Sequence, residues 1–140
     1  MRGLTRLPEP LIITQRGAQW LSDLLTSEKL RPDPSKYGNT GIRNQLDSMS
    51  FHKCFYCETK LKSKPKEVDH HIEVSININL SFVWTNLYLS CDNCNNKIDH
   101  NGISISSALD PCINTDIEIE DHLTFNDEQI TPLLNSSLGL

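Results

Sequence analysis

The chain has 140 residues, of which 37% are hydrophobic and only 6% aromatic. That length suits one domain with a modest core, which would gain stability from an added cross-link. No apolar run is long enough to span a bilayer, and charge and proline interrupt the opening "MRGLTRLPEPLIITQRG", so neither a membrane span nor a secretion signal is expected. A cytoplasmic location is therefore predicted, where thiols stay reduced, so the five cysteines suggest metal ligation and not disulfides.

The net charge of −5 is unevenly distributed along the chain. Residues 29–66 hold nine Lys and Arg against three acidic residues, a net of +6, whereas residues 67–140 hold Lys97 alone against twelve acidic residues, a net of −11. The first segment is either ordinary solvated surface or a basic face able to meet a phosphate backbone. Because the chain as a whole is acidic, we expect it to bind nucleic acid weakly by itself.

The first fifty residues are predicted to be mainly helical. Apolar residues at helical spacing predict one helix over residues 16–27 and another from about residue 40 to residue 50, with Asn39 or Thr40 as its N-cap. The stretch "RPDPSKYGN" between them is predicted to be a loop, because prolines and a glycine cannot continue the first helix. Both helices are expected to be packing elements.

From Val68 to Leu80 apolar residues alternate with polar ones, which is the period of an extended segment. We therefore predict a strand followed by a turn near residues 77–81, and a short second strand at "NLYLS". The sequence "CDNCNNKIDH" predicts a helix that starts near Cys91 and ends at Asn101-Gly102. Short strands or coil are expected over residues 103–140.

Four of the cysteines form two Cys-x-x-Cys pairs with 33 residues between the pairs: Cys54, Cys57, Cys91 and Cys94. Two residues inside a pair allow both sulfurs to reach one metal, and two pairs complete a tetrahedral zinc site. A zinc with four sulfur ligands has no open coordination position, so its role would be structural. The alternative is four unrelated buried cysteines, and Cys112 is expected to be a small buried hydrophobe.

The residues around the cysteine pairs are suited to hydrolysis. Asp69 and His70 are adjacent, Asn86 lies sixteen residues after His70, and Asn95 immediately follows the last paired cysteine. The segment "VDHHIEVS…WTNLYLSCDNCNNK" resembles the HNH endonuclease motif over about residues 51–100. In that family a strand ending in Asp-His, an Asn before the second strand, and an Asn or His on the next helix share one site.

The HNH resemblance implies an α+β fold with a small ββα-metal core. On this interpretation residues 51–105 form the nuclease core, held together by the four-cysteine zinc site. Residues 1–50 would be a helical arm that packs on the core or on a partner, and residues 106–140 an irregular acidic extension.

A narrower resemblance concerns the segments "CFYCE", "VDHHIEV", "WTNLYLSCDNCN" and "LDP". They are similar to the HNH subunits of Septu-type antiphage systems, including those attached to retrons, in which the nuclease works with an ATPase subunit. This implies a DNA-cutting subunit whose helix around Trp20–Leu25 either docks a partner or packs on the core. Two positions depart from the family pattern: Glu73 replaces the usual proline, and Lys97 follows Asn95 by two residues instead of three.

The chemistry of phosphodiester hydrolysis supports specific roles for these residues. His70 is the predicted general base, because a neutral imidazole with a pKa of about 6.5 can take a proton from water at cellular pH. Asp69 and the side-chain oxygen of Asn95 are hard ligands suited to a catalytic Mg²⁺ or Mn²⁺. Asn86 is expected to order the loop facing His70, and by resemblance its backbone carbonyl would fix the imidazole tautomer.

Several alternatives stay open at the level of sequence. His71 would be the base in a His-His form of the motif, and Asn96 is a lesser alternative to Asn95. His52, His100 and His122 are expected to be surface or core residues. The chain could also be a non-catalytic zinc-ribbon module that binds nucleic acid or a protein partner, or a degenerate HNH subunit that retains only the fold. A zinc site alone requires none of the Asp, His and Asn residues, so their joint presence favours an enzyme.

Overall fold

The computed structural model of the chain describes residues 1–61, 67–95, 109–126 and 129–132. In chain order its elements are α1 (Leu11–Thr26), α2 (Pro34–Tyr37), α3 (Thr40–Met49), β1 (Glu67–His70), two 3₁₀ turns (Ile78–Leu80 and Trp84–Asn86), β2 (Leu87–Ser90), α4 (Asp92–Asn95), α5 (Asp116–Glu120), β3 (Leu123–Asn126) and β4 (Gln129–Pro132). This mixture confirms the predicted α+β class. Within the described ranges, no helix combines the length and apolar character that crossing a bilayer requires.

The N-terminal helices are more extensive than the sequence predicted. Helix α1 begins at Leu11 and not at residue 16, because Pro10 occupies the N-cap, where its missing N–H is harmless. Helix α3 has the predicted position, and the Asn39 side chain accepts a hydrogen bond from Gly41 N at 2.9 Å. The predicted loop between them contains the short helix α2, with the Asp33 side chain as N-cap and Pro34 as first residue.

Strands β1 and β2 pair antiparallel, with Glu67 opposite Ser90 and His70 opposite Leu87. The second strand lies where "NLYLS" predicted it. The first is shorter than the alternating pattern suggested, because the chain turns after residue 70 and the Glu73 carbonyl accepts hydrogen bonds from the backbone N–H groups of Ile76 and Asn77. The predicted long strand is therefore wrong beyond residue 70.

One hydrophobic core contains residues from the ranges 1–61, 67–95 and 109–126. Helix α3 buries Ile42 and Leu46 completely, and β2 buries Leu87, Tyr88 and Leu89 in the same cluster. Ile119 and Leu123, from the C-terminal segment, complete it. Both the N-terminal arm and the C-terminal extension therefore pack on the central sheet. The boundaries predicted at residues 50 and 105 stay a prediction.

The C-terminal segment has more regular structure than predicted. Helix α5 starts with a capping box, in which the Thr115 side chain accepts from Glu118 N and the Glu118 side chain accepts from Thr115 N. Strands β3 and β4 then form a second antiparallel pair. Of the helix predicted from Cys91 to Asn101-Gly102, the described residues include α4, and the remainder lies outside them.

Candidate functional site

The first cysteine pair lies in a tight hairpin that docks on β2. Cys54 N donates to Thr59 O at 2.9 Å, Glu58 N donates to Cys54 O at 3.0 Å, and Phe55 N donates to Leu89 O at 2.9 Å. Glu58 adopts a left-handed conformation with φ of 61°, which a non-glycine residue takes up only when its surroundings require it. The second pair begins directly after β2, so β2 positions both cysteine pairs.

The four paired cysteines are positioned to form a metal site. Their sulfur atoms all lie within 4.8 Å of one another, and Cys57 Sγ is 3.7 Å from Cys91 Sγ. Zinc with bonds of about 2.3 Å to a tetrahedron of sulfurs would hold those sulfurs about 3.8 Å apart, so the geometry fits the ion. The identity of the metal as zinc stays a prediction.

The thiols of this cluster influence one another electrostatically. Their mutual hydrogen bonds lower the pKa of Cys57, with Cys54 as the main partner, and raise the pKa of Cys54 to about 11. Negative charge is therefore favoured on Cys57 in the absence of metal. Cys112 is not part of the cluster; it is half-buried, and burial raises the pKa of its thiol.

A cavity of about 430 Å³ opens beside β1. Three of the predicted site residues line it together: Asp69, His70 and Asn95. Their roles as metal ligands and general base stay a prediction. Asn86 and His71 do not belong to the lining of this cavity.

His70 is the last residue of β1, and its buried ring is held on two sides. Its Nε2 atom lies 3.0 Å from the carbonyl oxygen of Ser81, and the ring of Tyr37 approaches it edge-on with centroids 4.6 Å apart. The resemblance had suggested the Asn86 carbonyl for the first contact. In the structure the Asn86 carbonyl accepts from His71 N at 2.9 Å, and the carbonyl at Nε2 belongs to Ser81.

Asn86 is buried, and its side-chain amide orders the segment that follows β1. Its Oδ1 atom accepts from Ile72 N at 2.8 Å, and its Nδ2 atom donates to Ile72 O at 3.0 Å. A third hydrogen bond runs from Nδ2 to Leu80 O at 3.4 Å. The amide thus joins the two arms of the loop between the strands.

Asp69 is also buried and receives a hydrogen bond from inside the cysteine hairpin. The Tyr56 hydroxyl donates to Asp69 Oδ2 at 2.9 Å. Burial, followed by the nearby Asp69 charge, raises the pKa of Tyr56 well above its ordinary value, so the hydroxyl keeps its proton and acts as a donor. Tyr56 therefore fixes the orientation of the carboxylate.

His71 points away from the cavity, toward the "LDP" segment. Its Nε2 atom lies 3.9 Å from Asp110 Oδ2, and its ring lies 5.6 Å from that of Tyr88. Asp110 also accepts hydrogen bonds from the Tyr88 hydroxyl and from Cys112 N. Adjacent residues of a strand face opposite sides of a sheet, and His70 and His71 continue that alternation at the end of β1.

The cysteine cluster and the cavity are adjacent in sequence as well as in space. Tyr56, which binds Asp69, lies between Cys54 and Cys57, and Asn95 follows Cys94 directly. A metal held by the cysteines would therefore fix both sides of the cavity.

Four residues at this site were not identified from the sequence: Arg31, Tyr37, Tyr56 and Ser81. Ser81 acts through its backbone, and Tyr37 and Arg31 lie in a segment predicted to be a loop. None of these three residues could therefore be identified from the sequence. Tyr56 could have been suspected from its place inside a Cys-x-x-Cys pair. Asn96, Lys97 and His100 lie outside the described residues.

Comparisons with known proteins bear on this arrangement. Residues 54–101 match the model of the HNH endonuclease family. The Septu protein PtuB of Bacillus thuringiensis is 36% identical over 93 residues, which make up 65% of this chain and 36% of that protein. The chain thus matches about a third of the relative's length, and no solved structure matches it. Both findings confirm the predicted resemblance: residues 54–101 match the HNH endonuclease family, and the chain is similar to a Septu protein.

Proposed function

We propose that this protein is a metal-dependent HNH endonuclease that hydrolyses phosphodiester bonds in DNA. The observation that carries the proposal is that Asp69, His70 and Asn95 line one cavity together, and all three lie in the segment that matches the HNH family. Its similarity to a Septu protein supports a further step: the chain acts as the nuclease subunit of an antiphage defence complex, together with an ATPase partner.

In the proposed reaction His70 accepts a proton from the attacking water. A carbonyl oxygen can only accept a hydrogen bond, so the contact with Ser81 O places the proton of the neutral ring on Nε2. The Nδ1 atom is then the basic nitrogen of the ring. The buried Ser81 carbonyl thereby determines which nitrogen of the neutral ring is the basic one.

Asp69 and Asn95 are the proposed ligands of the catalytic divalent ion. A Mg²⁺ or Mn²⁺ ion bound there would neutralise charge on the phosphate and on the leaving oxygen. The chain supplies two oxygen-bearing side chains on neighbouring elements, β1 and α4, and Tyr56 orients the carboxylate at 2.9 Å. Hydrogen bonds from such supporting residues are typically needed for full metal affinity.

The test is a cleavage assay on plasmid and linear DNA with Mg²⁺ or Mn²⁺, on the chain alone and on material co-purified with its partner. His70→Ala should reduce cleavage by about 10²–10⁴-fold, the usual contribution of a positioned base, without loss of fold or zinc. His71→Ala is the matched control, since its ring points toward Asp110, and it should keep most of the activity.

Two results would contradict the proposal. Loss of cutting in His71→Ala with normal cutting in His70→Ala would assign the base to the other histidine. Nucleic-acid binding without cutting under any metal condition, with the partner present, would show a non-catalytic module.

A further inference from the structure

The cavity has a wall that does not come from the HNH segment. Arg31 lies in the connection between α1 and α2, Tyr37 is the last residue of α2, and both line the cavity opposite residues of β1. They belong to the N-terminal arm, which the sequence predicted to pack on the core or on a partner, and to the basic segment of residues 29–66. The arm therefore contributes side chains to the candidate active site.

The α1–α2 connection is held in place by its own hydrogen bonds. Asp33 Oδ1 accepts from Ser35 N at 2.9 Å, and Gly38 N donates to Pro34 O at 2.9 Å, which closes the single turn of α2. A Cβ atom at Gly38 would lie 2.6 Å from Pro34 O, so this turn is too tight for any other residue. Tyr37 is thus presented to the cavity by a fixed turn.

Tyr37 contacts the proposed base directly. Its ring meets the His70 ring edge-on, at 4.6 Å between centroids and an interplanar angle of 63°. Together with the Ser81 carbonyl on Nε2, this contact restricts both the position and the rotation of the imidazole. Burial, then the Glu67 carboxylate, raises the pKa of Tyr37, so its hydroxyl stays neutral at cellular pH.

Arg31 brings a positive charge to a cavity lined by carboxylates. Three carboxylates line it: Glu67, Asp69 and Glu73. A phosphodiester is an anion and would be repelled by them unless cations are present. Among the lining residues that the structure describes, Arg31 is the one Lys or Arg side chain, and a guanidinium is well shaped to bind phosphate oxygens.

We propose that the α1–α2 connection is part of the nucleic-acid site: Arg31 binds a phosphate of the substrate backbone, and Tyr37 is a positioning residue for His70. The proposal rests on the proposed nuclease function. It predicts that the first fifty residues are required for cutting even when the HNH core and its zinc site are intact.

The phosphate contact is tested by binding, in a His70→Ala background that does not cut. Affinity for a fluorescent DNA duplex of about 20 base pairs is measured from 50 to 200 mM salt. Arg31→Ala should weaken binding about tenfold and lower the slope of log K against log salt by about 1. Lys29→Ala removes the same charge two residues away, outside the cavity, and should have less than half of this effect. Equal effects of the two variants, or no DNA binding at any salt, would overturn the assignment.

The positioning role is tested with two variants of Tyr37 in the otherwise wild-type chain. Tyr37→Phe keeps the ring and should cut within about twofold of wild type, whereas Tyr37→Leu should lower kcat about 10- to 100-fold with little change in KM. The NMR signals of the His70 ring should shift in Tyr37→Leu but not in Tyr37→Phe, because only the former loses the ring current. Normal cutting by Tyr37→Leu, or equal losses in both variants, would refute the role.

These measurements separate the inference from the function on which it rests. If wild type cuts DNA while Arg31→Ala and Tyr37→Leu behave as wild type, the nuclease assignment stands and the inference fails. If wild type never cuts, the nuclease assignment fails by itself, and the binding and NMR results decide whether the arm contacts DNA and His70.

Discussion

Removal of metal from the four-cysteine site should destabilise the protein by about 4 kcal/mol. The metal would link Cys57 and Cys91, which are 34 residues apart in the chain. Closing a loop of that length lowers the entropy of the unfolded chain by about 13 cal/mol/K, or about 4 kcal/mol at 25 °C, if the metal acts as an ordinary cross-link. The enclosed loop contains both strands of the central sheet, so it cannot be released without loss of the cavity.

Thermal unfolding and elemental analysis of Cys91→Ser, or of wild type with chelator, measure this effect. For a domain of this size a loss of 4 kcal/mol lowers the melting temperature by roughly 10–20 °C. Wild type should contain close to one zinc per chain. Cys112→Ser is the matched control, because that thiol lies outside the cluster, and it should retain both zinc and stability to within about 1 kcal/mol.

The cross-link reasoning would be refuted by a zinc-free protein of unchanged melting temperature. It would also be refuted if Cys112→Ser lost as much stability as Cys91→Ser, since the loss would then come from a buried thiol and not from a metal.

Three further predictions follow from the site. Asn86→Leu should cost about 2–4 kcal/mol in denaturant unfolding, because it leaves N–H and C=O groups of Ile72 without their partner; a loss below 1 kcal/mol would contradict this. Tyr56→Phe should weaken Mn²⁺ binding about 10- to 100-fold by calorimetry, since it removes the hydrogen bond from the Tyr56 hydroxyl to Asp69, and unchanged affinity would argue against that support. The isolated chain, with its net charge of −5, should bind DNA weakly near physiological salt until the partner is added, whereas tight binding and robust cutting alone would indicate a free-standing nuclease.

The sequence predicted best where a local pattern determines the structure. Asn39 before an apolar periodic stretch correctly marked the start of α3, and the spacing of the cysteines correctly indicated four converging sulfurs. The helix start depends on residues close in sequence, and the cysteine site depends on the fixed geometry of metal ligands. The grouping of Asp69, His70 and Asn95 could be anticipated from the HNH resemblance, although composition and periodicity alone would not have joined them.

The errors arose where distant contacts override the local pattern. Alternation predicted a strand through residue 76. In the structure the Asn86 side chain forms hydrogen bonds with the backbone N–H and C=O of Ile72, and β1 ends at His70. Tyr37 and Tyr56 meet their partners only after the arm and the hairpin have packed on the sheet. Such tertiary contacts have no signature in a single sequence.

The hydrogen bonds between Asn86 and Ile72 help to determine whether His70 or His71 faces the cavity. A slip of β1 by one residue against β2 would exchange the faces of His70 and His71, because side chains alternate with a period of two. Such a slip would still leave a histidine at the cavity, but one without the Ser81 and Tyr37 contacts. It would also remove the two hydrogen bonds between the Asn86 amide and the Ile72 peptide, which form in one alignment only. The buried amide thus favours one alignment of the strands, because a slipped strand would lose these hydrogen bonds in a buried environment.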